Sequence, residues 1–252
     1  MSDFDIFEGM TSISAVIKSI QSGSSDRRIT KILFNEERFA KKYRELKFLR
    51  CVSESLGFEI FSASAEEIDN LTSGTTHGGI VAICTKRVFP ELKVENFKNG
   101  GFYALIEGIE DPYNFGYSVR SLYAAGVDGI ILPPRNWMEI AGTVARSSAG
   151  TSELANIYLS DPEDAVTLLK SVGFEIVCAE IRDSIPVYDH SFSDSTLLVV
   201  GGEKRGISRK ILELSDVNVR IEYGREFLGS LPSAAAISVI SFEALRQKRS
   251  KR

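Results

Sequence analysis

Residues 102–120 read FYALIEGIEDPYNFGYSVR, and this stretch decides the fold. Its first six residues are mainly apolar, which predicts a buried strand. An Asp-Pro pair at 111–112 then stops the strand, and Asn114 can cap the helix that follows. A strand followed directly by a helix is the building unit of a parallel α/β sheet. By themselves, these polar residues indicate no more than a helix cap and a surface arginine, Arg120.

The same alternation of strand and helix continues to the end of the chain. Apolar runs bounded by turn residues predict the strands, and apolar residues at three- and four-residue steps predict the helices. We therefore predict an α/β fold whose parallel sheet is covered on both faces. Strands are predicted at 102–107, 129–132, 154–159, 174–180, 196–201 and 217–221, and helices near 115–125, 137–147, 162–171, 208–214 and 231–246.

The residues before this sheet predict a second, smaller α/β domain. A polar stretch at Pro90–Gly101 is the best candidate for a linker, which divides the chain into domains at 1–95 and 100–252. The smaller domain is predicted to contain a helix at 11–21, a strand at Ile29–Phe34, an amphipathic helix whose core stripe is Phe39, Tyr43, Leu46, Leu49, Val52 and Leu56, and strands at Phe58–Phe61 and Ile80–Thr85.

The composition is that of an ordinary globular protein, with 43% apolar and 25% charged residues among 252. No apolar run is long enough to span a bilayer, and the acidic start does not resemble a signal peptide. Cys51, Cys84 and Cys178 lie far apart, which predicts reduced cysteines in the core rather than a disulfide or a metal site. These features predict a cytoplasmic protein with no membrane partner.

Positive charge is concentrated in two places although the net charge is −4. Nine basic residues and three acids lie between Arg27 and Arg50, and five more basic residues lie between Arg246 and Arg252. Clustered cations of this kind are typical of surfaces that bind nucleic acid. A solvated helix face and a frayed basic end explain the same pattern without a ligand.

The common nucleotide-binding motifs are absent from the sequence. No two glycines have the G-x-G spacing of dinucleotide sites and of ordinary methyltransferases. Ile207 stands where a phosphate-binding loop needs lysine after Gly206, and no G-x-S-x-G elbow occurs. The two histidines, His77 and His190, do not have the spacing of metal ligands.

Two other segments occupy positions where a parallel sheet binds its ligand. GGEKRGIS at 201–208 follows a predicted strand, and its glycines allow backbone amides to approach a ligand closely. GSLPSAAA at 229–236 opens the last helix, where free N–H groups can bind a ligand. The stripe Ala235, Val239, Phe242 and Leu245 of that helix is predicted to pack.

Together, these segments resemble the SpoU (TrmH-type) family of RNA ribose methyltransferases in the SPOUT superfamily. The family's third motif, Ser-Leu-Asn, is matched only by Ser230 and Leu231, because Pro232 replaces the asparagine. The residues that match the other motifs are Asp111, Pro112, Asn114, Gly116 and Arg120 in the first, Gly201, Glu203, Gly206, Ile207 and Ser208 in the second, and Arg146, Ser148 and Gly150 in a stretch between them.

A fainter resemblance covers the amino-terminal domain. His77-Gly78-Gly79-Ile80-Val81-Ala82 resembles a stretch of family members that carry a ribosomal-protein-like RNA-binding domain, although Gly78 replaces a glutamine. A turn histidine with a local hydrogen bond explains His77 equally well. The resemblance implies that residues 1–95 bind the RNA substrate and that residues 100–252 form the SPOUT methyltransferase domain.

The resemblance also implies the chemistry. It implies S-adenosyl-L-methionine as cofactor, 2′-O-methylation of an RNA ribose, a deep trefoil knot in the carboxy-terminal domain, and a homodimer through that domain whose sites borrow groups from both subunits. The carried-over cofactor residues are Leu132, Gly201, Gly202, Gly206, Ile207, Leu228, Gly229 and Leu231.

Catalytic roles are carried over to four residues. Arg120 acts at the ribose hydroxyl with Asn114 beside it, and arginine is a better electrostatic stabiliser than base because it rarely loses its proton. Glu203 would orient Arg120 or Asn114, and Ser230 would hold the hydroxyl or the cofactor carboxylate. The RNA-binding residues predicted from charge and motif are Arg27, Arg28, Lys41, Lys42, His77 and Arg146.

Ribosomal RNA is the favoured substrate over transfer RNA, because a separate amino-terminal domain resembles the ribosomal RNA enzymes. Three alternatives remain open from the sequence. The first is a cofactor-binding RNA-binding protein without methyl transfer, which Pro232 supports. The second is a transfer RNA ribose methyltransferase, and the third is another parallel α/β enzyme acting on a small nucleotide.

Overall fold

The computed structural model describes residues 4–72, 77–98, 100–134 and 140–251. The contacts divide the chain into two compact units. The amino-terminal unit is Met1–Val88 with Asn136–Leu154, and the carboxy-terminal unit is Phe89–Arg135 with Ala155–Arg252. The domains at 1–95 and 100–252 stay a prediction. The contact-based division differs from them mainly because it groups residues 136–154 with the amino-terminal unit.

The amino-terminal unit contains a four-stranded mixed sheet with the strand order β1-β4-β2-β3. Its β2 and β3 strands are parallel, whereas β4 runs antiparallel to both β1 and β2. The elements are β1 (Phe4–Glu8), α1 (Gly9–Gln21), β2 (Ile29–Asn35), α2 (Tyr43–Leu56), β3 (Glu59–Ala63), α3 (Ala65–Leu71), β4 (Ile80–Thr85), α5 (Ala141–Ser147) and α6 (Thr151–Leu154).

The amphipathic helix begins later than its apolar pattern predicts. A short 3₁₀ turn at Glu36–Arg38 follows β2, and α2 starts only at Tyr43. Leu46, Leu49 and Val52 are buried as predicted, but Phe39 and Tyr43 are not core residues, because the chain around Phe39 is not helical. Gly57, with a φ of 73°, ends the helix in the left-handed conformation that glycine adopts without strain.

The burial of Arg27 contradicts its predicted role in RNA binding. Only 2% of its surface is exposed, and its guanidinium lies 2.5 Å from Asp5 and 2.7 Å from Glu153. It also donates to the carbonyl of Thr85 and lies over the Phe7 ring. A buried arginine with these partners holds the unit together and has no surface to offer to RNA.

Residues 140–154 pack within the amino-terminal unit. Of the helix predicted at 137–147, residues 137–139 lie outside the described residues, and α5 is observed from Ala141. A Cβ added at Gly142 would overlap the Ile6 carbonyl oxygen, and one at Gly150 would lie 2.5 Å from the Ala15 Cβ. These glycines therefore allow close approach to β1 and α1.

The carboxy-terminal unit confirms the predicted parallel α/β fold. Its seven strands are all parallel and have the order β7-β6-β5-β10-β8-β11-β9. The trefoil knot stays a prediction. The elements are β5 (Phe102–Ile106), α4 (Pro112–Ala124), β6 (Gly129–Leu132), β7 (Ile157–Leu159), α7 (Pro162–Ser171), β8 (Glu175–Ala179), β9 (Ile185–Pro186), β10 (Thr196–Val200), α8 (Arg209–Leu214), β11 (Val217–Arg220) and α9 (Ser233–Ser250).

The described part of the stretch predicted as a linker is packed against this unit. Glu91 pairs with Leu159, and Leu92 and Phe97 contact the core. The Phe97 ring lies 5.4 Å from that of Tyr103, edge to face. The polar composition of the stretch suggested a free connection, but its few apolar side chains fix it to the sheet.

The last helix has a different buried face from the one predicted. Its core side chains are Ala234, Ile237, Ile240 and Ala244. The predicted stripe is incompletely covered, since 46% of Phe242 is exposed. Thus α9 carries two apolar faces, of which one is packed within the unit.

The cysteines are reduced, but only two of them lie in the core. Cys84 and Cys178 are buried, and burial raises the pKa of each thiol to about 12. Cys51 is exposed on α2, contrary to prediction. In the described parts of the chain, no helix has the length and apolar character needed to cross a membrane.

Candidate cofactor and substrate site

The two glycines that follow β10, Gly201 and Gly202, are required by close backbone contacts. A Cβ at Gly201 would overlap the backbone of Gly206, and one at Gly202 would overlap the carbonyl of Gly108. Gly206 donates its N–H to the Gly202 carbonyl at 2.9 Å, which closes the loop on itself. The loop after β10 is thus a compact turn against the loop after β5.

Glu107, which directly follows β5, holds this turn in place through two hydrogen bonds. Its carboxylate accepts the backbone N–H of Ser208 at 2.9 Å, just before α8 begins. Its own N–H donates to the Val200 carbonyl at 2.9 Å, which continues the pairing of β5 with β10. The segment that leads from β5 to the first motif is therefore joined to the second motif through backbone and carboxylate contacts.

A cavity of about 880 Å³ opens at the carboxyl ends of β8, β10 and β11. Parallel sheets commonly bind their ligands at this edge. Backbone and apolar side chains line much of the cavity, and these suit an adenine ring and a methionine moiety. The predicted residues that line it are Gly201, Gly202, Glu203, Gly206, Leu228, Gly229, Ser230 and Leu231.

Two predicted cofactor residues lie elsewhere. Leu132 and Ile207 are buried, and neither lines the cavity. Ile207 packs in the core of the unit, where it supports the glycine turn from beneath. A contact of Leu132 or Ile207 with the cofactor stays a prediction.

Sequence reasoning placed the loop after β11 at the cofactor but missed two aromatic residues of that loop, Tyr223 and Phe227, which line the cavity. The Tyr223 and Phe227 rings lie 5.6 Å apart, and the Tyr223 hydroxyl accepts the backbone N–H of Leu231 at 3.1 Å. The loop after β8 was also missed, and Glu180 and Ile181 line the same cavity. The aromatic spacing of Tyr223 and Phe227 was the available signal for the first loop.

A second cavity, of about 400 Å³, is lined by Asp111 and Asn114 of the first motif and by Glu203 and Ser208 of the second. The Asn114 side-chain amide donates to Glu203 at 2.9 Å. Asn114 is not the helix cap, because the Asp111 carboxylate accepts the Asn114 N–H at 2.8 Å and caps α4 itself. The side chain of Asn114 is thereby left for the cavity.

Arg120 lies on the exposed side of α4 and lines neither cavity. It makes no hydrogen bond or ion pair with any residue that the structure describes. Tyr113 and Tyr117 precede it at helical spacing and are also exposed. Within one chain, Arg120 is therefore apart from Asn114 and Glu203.

The third motif keeps a polar contact despite Pro232. The Ser233 hydroxyl donates to the Gly201 carbonyl at 3.3 Å and is buried beside the cofactor cavity. Pro232 precedes α9, and its carbonyl accepts the N–H groups of Ala235 and Ala236. Proline is compatible with this helix start, as expected.

The remaining predicted RNA-binding residues differ in availability. Arg28 and Lys41 are exposed. Lys42 is paired with Glu45 at 2.9 Å, and Arg146 with Glu8 at 2.8 Å. His77 is buried and makes local hydrogen bonds, with Asp69 at 2.7 Å and with the Gly79 N–H at 3.0 Å, which favours a structural role.

Comparison with known proteins decides the family. Residues 101–242, more than half of the chain, match the SpoU rRNA Methylase family. The chain belongs to this family. Residues 7–90 match a second family, described as RNA 2′-O ribose methyltransferase substrate binding. The resemblance and the class of enzyme predicted from the motifs, an RNA 2′-O-ribose methyltransferase, are thereby confirmed.

Individual relatives agree with this assignment. The chain is 26% identical over 255 residues to the 23S rRNA (guanosine-2′-O-)-methyltransferase RlmB of Shewanella oneidensis, covering 98% of each chain. An AdoMet-bound rRNA methyltransferase from Sinorhizobium meliloti has the same fold, with a TM-score of 0.79 at 20% identity over 97% of this chain and 87% of that one. A TrmH/SpoU tRNA modifying enzyme from A. aeolicus matches with a TM-score of 0.53 at 23% identity. That match covers 61% of this chain and 78% of the other.

Replacing Gly202 with alanine is expected to weaken adenosylmethionine binding and to lower stability by about 1–3 kcal/mol, because the new methyl group must displace the Gly108 backbone. Calorimetric titration and urea unfolding measure the two effects. Gly224→Ala is the matched control, since a Cβ there would meet no atom within 4 Å. Unchanged cofactor affinity in Gly202→Ala would show that the turn does not shape the cavity.

Proposed function

We propose that this SpoU family protein transfers a methyl group from S-adenosylmethionine to the 2′-oxygen of a ribose in ribosomal RNA. The observation that carries the proposal is the hydrogen bond of 2.9 Å between Asn114 and Glu203 in a cavity that shares Gly202, Glu203 and Gly206 with the larger glycine-framed cavity. A polar pair suited to a hydroxyl thus lies beside a space suited to the methyl donor.

The bound cofactor supplies an already activated methyl group, so the protein has mainly to align the acceptor and stabilise charge. Gly201, Gly202 and Gly206 offer a close-packed backbone surface, and Leu228 and Leu231 offer apolar contacts for the adenine. Ser230 lines the same space and can hold a carboxylate or a hydroxyl.

Glu203 and Asn114 act together on the acceptor. Because the Asn114 amide donates to Glu203, its Oδ1 atom remains to accept the hydrogen bond of the ribose hydroxyl. Negative charge develops on the 2′-oxygen as its proton passes to solvent, and a guanidinium would stabilise that charge. Arg120 is the arginine of the first motif and takes this role, since it remains protonated throughout.

The functional form is a homodimer in which the partner subunit completes the site. The apolar residues Ala235, Val239 and Phe242 of α9 are incompletely covered within the chain, and Tyr113 and Tyr117 of α4 are exposed. Large exposed apolar faces of this kind support association with a second copy. Arg120 lies on the same helix and would reach the cavities of the partner, which accounts for its separation from Asn114.

Phe242→Asp is expected to convert the dimer to monomers and to reduce methyl transfer, because a carboxylate would be buried without a partner at the interface. Sedimentation velocity measures the oligomeric state. Phe61→Asp, at a phenylalanine of similar exposure in the amino-terminal unit, is expected to remain dimeric. A monomeric wild-type protein with full activity would contradict the shared site.

Ribosomal RNA is proposed over transfer RNA because of the amino-terminal unit. The likeness to a ribosomal RNA methyltransferase extends over 97% of this chain, whereas the likeness to a transfer RNA enzyme extends over 61%. The region matched as substrate binding, residues 7–90, would select the RNA, and the domain division at 1–95 and 100–252 is proposed on the same ground. We assign the protein to the cytoplasm, where this substrate is made and assembled.

The test is transfer of labelled methyl from adenosylmethionine into ribosomal and transfer RNA that lack 2′-O-methylation. We expect label in ribosomal RNA, at a linkage resistant to alkaline hydrolysis because the methylated 2′-oxygen can no longer attack the neighbouring phosphate. Label in transfer RNA alone would change the substrate assignment. Tight adenosylmethionine binding with no label in either RNA would favour the alternative function, a cofactor-binding RNA-binding protein that does not transfer methyl groups.

A further inference from the structure

Two aromatic rings that the sequence assigned to the core lie on the surface of the amino-terminal unit. The exposed fractions are 44% for Phe39 and 55% for Tyr43. The rings are edge to face, with centroids 6.1 Å apart, and the Phe39 ring stands at 86° to the buried Phe34 ring at 6.5 Å. The exposed pair is therefore anchored to the core.

Basic residues are close to these rings in the sequence. Arg38 precedes Phe39, Lys41 lies two residues before Tyr43, and Arg44 follows it; all three side chains are exposed. The neighbouring Lys42 does not add to this charge, since it is paired with Glu45. We call Arg38, Phe39, Lys41, Tyr43 and Arg44 the aromatic–basic patch.

Acidic residues lie at both ends of the patch, and the one that follows Arg44, Glu45, is paired with Lys42. Glu36 and Glu37 lie on the preceding 3₁₀ turn, and the Glu37 N–H is held by the Asn35 side chain. The three free cations of the patch therefore outnumber the two nearby carboxylates that have no described partner.

The patch lies beside the glycine turn at 77–79. The Asn35 N–H donates to the Gly79 carbonyl at 2.8 Å, and a Cβ added at Gly79 would lie 2.7 Å from the Arg38 Cδ. Because Gly79 has no side chain, the Arg38 side chain can lie directly against the turn. The buried His77 accepts the Gly79 N–H and so holds the same turn in place. The turn beside the patch is therefore rigidly positioned.

We propose that the aromatic–basic patch binds an unpaired nucleotide of the RNA substrate, with the base stacked on Phe39 or Tyr43 and the adjacent phosphates held by Lys41 and Arg44. This inference rests on the proposed function and names the form of RNA that the amino-terminal unit recognises. Aromatic faces bind the faces of unpaired bases, which a double helix keeps stacked and out of reach. Cations alone would attract either form of RNA.

The test compares single-stranded and duplex RNA of one composition. The probes are an end-labelled oligoadenylate of about 12 nucleotides and the same strand paired with oligouridylate, since a binding surface of this type spans several nucleotides. The variants are the full chain with Phe39→Leu, with Tyr43→Leu and with both, which keep apolar volume and remove the rings. Phe61→Leu, at an exposed phenylalanine on β3 outside the patch, is the matched control.

We expect each ring removal to weaken binding of the single strand roughly tenfold and to leave duplex binding unchanged. Lys41→Ala with Arg44→Ala should weaken both forms and reduce the salt dependence of binding, whereas the leucine variants should keep that dependence. Equal loss for single strand and duplex in the leucine variants, or no loss in either, overturns the inference. A change in sedimentation without a change in RNA binding also overturns it, since the patch would then contact protein.

Methyl transfer to ribosomal RNA, measured in parallel, separates this inference from the proposed function. If the wild-type protein transfers methyl and the leucine variants bind and transfer as well as it does, only the patch assignment fails. If the wild-type protein transfers no methyl to any RNA, the proposed function fails whatever the patch binds.

Discussion

Arg120→Ala is expected to lower the rate of methyl transfer by roughly 10²–10³-fold, the usual cost of removing one group that stabilises a developing negative charge. The affinity for adenosylmethionine should change little, because Arg120 does not line the cofactor cavity. The folded state should also be unaffected, since the side chain is exposed and has no hydrogen-bond partner among the described residues. Single-turnover kinetics with saturating cofactor measures the rate.

Two controls make this result specific. Arg209→Ala removes an equally exposed arginine, which is paired with Glu213 on α8, and should leave the rate unchanged. Arg120→Lys keeps the charge but loses the planar fork of the guanidinium, and we expect it to recover part of the rate. A wild-type rate in Arg120→Ala would remove this residue from the mechanism.

Mixing subunits tests whether the arginine acts across the dimer. Consider a heterodimer of one Arg120→Ala subunit and one Gly202→Ala subunit. If the partner supplies Arg120, the site with the intact Gly202 receives an intact Arg120 and has no defect. The other site then carries both substitutions. Partial recovery of activity on mixing two impaired proteins is the expected outcome. If each site used its own Arg120, every site would carry one defect and mixing would restore nothing.

Arg27→Met is expected to destabilise the protein by about 3–5 kcal/mol, because it leaves Asp5 and Glu153 buried without a positive partner. Urea unfolding followed by circular dichroism measures the loss. The neighbouring Arg28 is exposed, so Arg28→Met is the matched control and should change stability by no more than about 0.5 kcal/mol. Equal effects of the two substitutions would contradict the role of the buried ion pairs.

The triple variant Asp5→Leu, Arg27→Met, Glu153→Leu gives a second test of the same cluster. Replacement of a whole buried ionic group by apolar side chains is often neutral, since the cost of removing charges from water disappears with the charges. We therefore expect the triple variant to be more stable than Arg27→Met alone. A still larger loss would mean that the two leucines do not fit the space that the carboxylates of Asp5 and Glu153 occupy.

The local sequence pattern predicted most elements of the carboxy-terminal unit. The helix at 162–171 and the strand at 129–132 have the predicted bounds, because an apolar period and flanking Pro or Gly residues are local signals. The pattern missed β1, α3, α6 and β9, which are short elements. Short elements carry too few residues to show a period, and only their pairing with neighbours fixes them.

For the site, the sequence by itself determined which residue types are available and where turns must occur. The glycines at 201, 202 and 206 and the polar residues of the first motif were identifiable because each spacing is local. The tertiary structure alone decided which of them meet. Asn114 and Glu203 are 89 residues apart and form a hydrogen bond, whereas Arg120 on the same helix lies apart from both.

The same distinction explains the errors in the amino-terminal unit. A charge count cannot tell a buried arginine from an exposed one, and Arg27 is buried only because Glu153, 126 residues later, reaches it. Likewise, helical spacing assigned Phe39 and Tyr43 to the core, but the helix begins only at Tyr43, and both rings are about half exposed. Periodicity encodes the elements, whereas burial and pairing depend on how distant elements pack, which no local pattern contains.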